Sequence, residues 1–170
     1  DLPAPLNKTA DSALPLRLTF GMPLAGASID LRIGDLLRMH GRLASPASPF
    51  GARVTLGGDS EEAVPKNGFV IAGKTPNLDL SGWLDFASGG RGDGGLLNSV
   101  DLQVGAMTTW GRDFGAARFT LAQAADGLDL GFVGSQIDGN LHVPLASLPQ
   151  RGITAQFAHL YWPEAPEKPG

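Results

Sequence analysis

The chain has 170 residues, 13 Lys and Arg against 17 Asp and Glu, a formal charge of −4 and no Cys. Its length suits one domain with a core of its own, and a hydrophobic content of 42% excludes a disordered polymer. The acidic balance, with no run of basic residues, argues against nucleic acid as a partner, because neutralising phosphates needs clustered Lys and Arg. Without Cys there is no disulfide framework, thiolate metal site or thiol nucleophile. No apolar run approaches the ~18 residues of a membrane-spanning helix.

Residues 1–13 read as an entry linker, with turn cues at Pro3, Pro5 and Asn7. A first strand group covers 14–73. Leu14, Leu16, Leu18 and Phe20 alternate over 14–20, and Ile29, Leu31 and Ile33 over 28–33. Further strands are expected at 36–43 and 51–57, the latter with Val54 and Leu56 against Arg53 and Thr55. Phe69 to Ala72 reads as a short buried strand. Over 78–86 the period changes: Leu80, Trp83 and Leu84 fall on one face of a short helix that Asn77 or Asp79 can cap. A Gly-rich loop follows at 88–95.

From 98 to 162 the chain is a ladder of strands. Val100, Leu102 and Val104 alternate with Asp101 and Gln103; Phe119 and Leu121 follow, then Leu128, Leu130 and Phe132, then Ile137, Leu141 and Val143, then Ile153 and Phe157. Alternation of period 2 gives every strand one apolar and one polar face. Turn cues at 110–113, 125–127, 134–135 and 144–152 indicate an antiparallel meander. The expected fold is mainly β, a curled, groove-like antiparallel sheet with one short helix near 78–86; frequent Gly suits a strongly bent sheet. With almost no helix to cover them, the apolar faces must meet another sheet, another chain or an apolar ligand. Residues 163–170 form a Pro-rich tail. A start at Asp1 without Met suggests a single β-rich segment, 1–170, of a longer polypeptide.

No motif points to reaction chemistry. Gly90-x-Gly92-x-x-Gly95 has the spacing of a dinucleotide fingerprint, but here a helix precedes and a strand follows, the reverse of the order that aims N–H groups at pyrophosphate. Arg91-Gly92-Asp93 and the sequon Asn7-Lys8-Thr9 are short enough to arise by chance. His40, His142 and His159 are dispersed and read as satisfied surface histidines. Asp126, Asp129 and Asp138 read as solvated carboxylates, and no Ser occupies a Gly-x-Ser-x-Gly elbow. The expectation is a protein that is not an enzyme, with no catalytic residue, metal or cofactor. Trp83, Trp110, Tyr161 and Trp162 read first as core or sheet-end plugs; the alternative is an amphipathic rim at a groove mouth or membrane surface.

An ordered set of segments resembles a known family. Leu2-Pro3-Ala4-Pro5-Leu6-Asn7-Lys8 with Leu14-Pro15-Leu16, Gly68 to Gly73, Leu78-Asp79-Leu80-x-Gly82-Trp83, Ile137-Asp138-Gly139-Asn140-Leu141-x-Val143-Pro144 and Ile153-Thr154-Ala155-x-Phe157-x-x-Leu160 are similar to segments of the YhdP proteins, within the AsmA-like superfamily. The loop Gly89–Gly95 departs from that pattern in its glycine content.

The resemblance implies a periplasmic parent anchored in the inner membrane by an N-terminal helix, with a long hydrophobic β-groove that moves phospholipid between inner and outer membrane and supports the outer-membrane barrier. This chain would be one segment of that conduit. Its implied partners are phospholipid acyl chains, flanking β-segments of the parent and the inner membrane. The lipid-lining residues expected on the ladder are Val100, Leu102, Val104, Phe119, Leu121, Leu128, Leu130, Phe132, Ile137, Leu141, Val143, Ile153 and Phe157. The alternative is a non-enzymatic β-sandwich module of the bacterial envelope.

Overall fold

The computed structural model describes residues 3–6, 14–58, 62–83, 96–144 and 152–163. Eleven strands follow in chain order: β1 (Leu16–Phe20), β2 (Ser28–Ile33), β3 (Leu37–Arg42), β4 (Gly51–Leu56), β5 (Gly68–Asp79), β6 (Leu97–Thr109), β7 (Arg112–Asp113), β8 (Ala117–Gln123), β9 (Gly127–Gly134), β10 (Ile137–Pro144) and β11 (Thr154–Leu160). They form one open sheet in the order β1-β2-β3-β4-β5-β6-β8-β9-β10-β11, with the short β7 paired to β6. The fold is mainly β, as the alternation of apolar residues requires.

The sheet is mixed. The pairs β1–β2, β2–β3, β3–β4, β6–β7, β8–β9, β9–β10 and β10–β11 are antiparallel, whereas β4 and β5 run parallel with Ala52 opposite Phe69, Val54 opposite Ile71 and Leu56 opposite Gly73. A run of polar loop residues between Leu56 and Gly68 is long enough to bring the chain back to the start of its neighbour, which a tight hairpin cannot do. Gly73 has φ +124°, and a Cβ there would lie 2.2 Å from the Leu56 carbonyl oxygen. Glycine is the residue this approach of two backbones admits.

Local periodicity misjudged the middle of the chain. The strand expected at 69–72 is the first third of β5, which continues through residues 78 and 79 of the expected helix. The adjacent β6 accounts for this, because it supplies partners for the backbone groups of β5; Thr108 Oγ1 also donates to the Leu78 carbonyl. A satisfied ladder outweighs a weak helical pattern that contains Gly82. The helical turn occupies 80–83, and 84–86 lie outside the described residues. Asp79 caps it as expected: its Oδ1 accepts from the Gly82 N–H at 2.9 Å and from Ser81 Oγ at 3.0 Å. The loop at 88–95, with both its glycine and Arg-Gly-Asp patterns, and most of the entry linker and tail also lie outside the described residues.

The chain divides into two compact units. The smaller comprises Thr9–Lys74 and Asp93–Asp101, and the larger Asp1–Lys8, Thr75–Gly92 and Leu102–Gly170. In the smaller unit Leu37, Ala52, Leu56 and Val100 are buried. In the larger unit the core is built from Leu78, Leu80, Leu102, Val104, Met107, Phe114, Ala117, Phe119, Leu121, Leu130, Phe132 and Ile137. Phe119 and Phe132 sit directly opposite each other on β8 and β9 with ring centroids 5.6 Å apart. Met107 and Phe114 have the most completely enclosed large side chains, and Phe114 N–H donates to the Met107 carbonyl at 2.8 Å.

Because Phe114 is enclosed, Phe114→Ala should lower the unfolding free energy by about 3–5 kcal/mol. Val133→Ala, at an exposed position of β9, should change it by less than about 0.5 kcal/mol. Urea denaturation of the two variants measures both.

Candidate functional site

Cross-strand register assembles two apolar faces, one in each unit. In the smaller unit Leu16, Ile33, Leu37 and Leu56 form one row across β1 to β4; Leu18, Leu31, Met39, Val54 and Ile71 form the next, across β1 to β5. Phe20, Ile29, Gly41, Ala52 and Phe69 form a third. Directly paired residues share a face, so alternate positions on five strands merge into one apolar surface. Four inter-strand spacings of about 4.8 Å make it about 19 Å wide, and five residues at about 3.3 Å make it about 17 Å long.

Exposure on this face rises towards the edge. Leu37, Ala52 and Leu56 are buried, Ile29, Leu31 and Ile33 are half-buried, and on β1 the exposures reach 64% for Leu16, 48% for Leu18 and 50% for Phe20. Leu14, Met22 and Leu24 beside the strand are exposed as well. Isolated surface leucines are ordinary, but a contiguous apolar patch of this kind marks an interaction surface.

The larger unit repeats the arrangement. Leu121, Leu130, Leu141 and Ala155 form one row across β8 to β11, and Phe119, Phe132, Gly139 and Phe157 form the next. Leu128 and Val143 pair in a third. Phe119, Leu121, Leu128, Leu130, Phe132, Leu141, Val143 and Phe157 therefore fall on one face, while Ile137, at the start of β10, and Ile153, just before β11, lie outside these paired rows. Their burial differs. Val100, Leu102, Val104, Phe119, Leu121, Leu130, Phe132 and Ile137 are buried within the chain, whereas Leu128, Leu141, Val143 and Phe157 are half-buried and Ile153 is 57% exposed. The interior strands supply core and the edge strand supplies accessible apolar surface. The open residues of β1 were legible as an alternating strand, but their place at a sheet edge was not.

The aromatic residues depart from the first expectation. Trp110, Tyr161 and Trp162 are exposed, at 71, 65 and 55%, and do not plug the core. Trp110 and Gly111, with φ of 49° and 70°, form the two-residue turn between β6 and β7, which holds the indole beyond the ends of the strands. Trp162 stacks on Trp110 with centroids 6.4 Å apart, meets Phe114 edge-on at 5.9 Å and lies under the Arg112 guanidinium at 5.4 Å. Arg112 Nη1 also donates to the Pro163 carbonyl. Trp83 is half-buried, and its Nε1 donates to the Ala4 carbonyl at 2.7 Å.

The polar faces carry paired side chains. His40 meets Asp30 at 2.5 Å, His142 lies 2.6 Å from Asp129 and 3.4 Å from Asp126, and His159 Nε2 is 3.0 Å from the Gly134 carbonyl. Each histidine thus has a local partner. Among the described residues no three metal-ligating side chains converge, and no helix is long and apolar enough to cross a membrane.

A family model described as "YhdP protein" matches residues 1–169. The chain belongs to the YhdP family. No curated protein matches it, and neither does any solved structure. The membership agrees with the ordered segments from Leu2 to Leu160, which span most of the matched residues.

The exposed face of β1 is expected to take up apolar probes. Leu18→Asp should reduce binding of a polarity-sensitive fluorescent dye several-fold, whereas Thr19→Asp, one residue along on the opposite face, should leave it within about twofold. Fluorescence titration distinguishes the two.

Proposed function

We propose that this chain is a segment of a periplasmic lipid conduit in which apolar strand faces shield phospholipid acyl chains between inner and outer membrane, supporting the outer-membrane barrier without enzymatic chemistry. The observation that carries the reading is the pair of apolar faces that open towards the edge strands, with Leu16, Leu18 and Phe20 on β1 and the half-buried Phe157 on β11. Family membership supports the same reading.

The physical need for such a surface is large. Each methylene exposed to water costs about 0.8 kcal/mol, so a chain of about 14 methylenes meets a barrier of about 11 kcal/mol, roughly eight decades in equilibrium constant. A continuous apolar surface lowers that barrier with no reacting group. Leu128, Leu141, Val143, Ile153 and Phe157 are the ladder residues with surface left for an acyl chain. Val100, Leu102, Val104, Phe119, Leu121, Leu130, Phe132 and Ile137 would act beneath them, as the packed layer that holds the face in shape. Trp110, Tyr161 and Trp162, which combine apolar rings with polar N–H or O–H groups, suit a rim between lipid and water.

An interaction module that adds strands at its edges is the second reading, favoured by β1 and β11 standing at the two ends of the sheet order. Native mass spectrometry of the chain purified from a bacterial envelope separates the two. The lipid reading predicts bound phospholipid on the monomer, and a several-fold lower occupancy for Leu18→Asp and Phe157→Asp. A lipid-free dimer would support strand addition instead.

A further inference from the structure

Although the basic residues are scattered in sequence, strand register gathers four arginines on the polar face of the smaller unit. Arg17, Arg32 and Arg38 lie directly opposite one another across β1, β2 and β3, and Arg53 on β4 faces His40 in the adjacent row. They line a cavity of about 390 Å³ together with Asp30 and Glu62, a volume within the range of small-ligand sites. Among the described lining residues, four arginines against two carboxylates leave a charge of +2, in a chain whose total is −4. Like charges directly opposite across a sheet repel, so this row calls for an anion.

The protein's own groups answer it in part, and Arg38 is among the arginines that have a partner. Arg32 pairs with Asp35 at 2.5 Å, the two side chains 47% and 93% exposed, and such exposed pairs are weak and readily exchanged; Arg53, only 15% exposed, pairs with Glu62 at 2.7 Å. Asp30 is engaged with His40 at 2.5 Å. Arg17 makes no ion pair among the described residues. On the same face, Arg42 donates through Nη2 to the Lys66 carbonyl, while its Nε is buried without a partner among the described residues.

We propose that this cavity binds a phosphate ester, with Arg17, Arg32, Arg38 and Arg53 as its ligands. The guanidinium fork matches two phosphate oxygens at once, and a phosphate dianion complements the +2 of the described lining residues. The phosphate belongs to a lipid headgroup or to a soluble ester; the site chemistry is common to both. It faces away from the apolar surface described above and does not depend on acyl-chain binding.

The test uses the 170-residue chain. Inorganic phosphate is titrated by calorimetry, and vesicles of phosphatidylcholine, alone or mixed with phosphatidylglycerol, are assayed by flotation. The double variant Arg17→Gln/Arg38→Gln should weaken phosphate binding at least about tenfold, with Arg118→Gln on β8 unchanged. Phosphate binding without flotation assigns a soluble ester; flotation that needs phosphatidylglycerol and disappears in the double variant assigns a lipid headgroup. Thermal unfolding checks the fold. If the double variant is unfolded, Arg17→Gln alone, at an exposed edge position, should still lose binding several-fold. No binding of either probe, or binding unaltered by these substitutions, overturns the proposal. Leu18→Asp should leave phosphate binding intact, so failure of the acyl-chain reading is recognised separately.

Discussion

Cross-strand register is the constraint on which everything else in this chain depends. Because side chains alternate with a period of two, one pairing decides the face of every residue on both strands, and a slip of one position inverts them all. Leu18 opposite Leu31, Leu31 opposite Met39 and Met39 opposite Val54 fix an apolar face, and the same pairings put Arg17, Arg32 and Arg38 together on its reverse. The parallel step from β4 to β5 keeps the phase, since Val54 faces Ile71. Apolar and cationic surfaces are thus two products of one alignment.

A sheet with so little helix has few ways to hide an apolar face. Interior strands cover their side chains within the fold, as Phe119, Leu130 and Phe132 show, but strands at the ends of the order have a neighbour on one side only. The gradient from buried Leu56 through half-buried Ile33 to exposed Leu16 follows directly. The larger unit has the same gradient from Leu130 through Leu141 to Ala155. The apolar surface left open is therefore a property of strand position, which explains why residues with equal alternation differ so widely in exposure.

This also sets what was legible in the sequence. Strand existence was, because Ile29-Leu31-Ile33 and Leu128-Leu130-Phe132 alternate cleanly, and the Asp79 cap was, because its chemistry is local. The family was legible in segments spread along the whole chain. The extension of β5 through Leu78 was not, since it depends on β6 offering partners from thirty residues away. The parallel pairing of β4 with β5, the exposure of Leu16, Leu18 and Phe20, and the arginine row across β1 to β3 likewise arise only when distant strands are aligned. Trp110 was misjudged because large aromatic residues usually signal core, whereas here a two-residue turn carries the ring outward.

The central claim is that acyl chains lie on the apolar face and not on its reverse. Photo-crosslinking in living cells measures this most directly, with a photoreactive residue placed in the protein at position 18 or 157, or as controls at 19 or 156. Crosslinks to phospholipid are expected at 18 and 157, and few at 19 and 156. Equal crosslinking at all four positions, or none at 18 and 157, would contradict it.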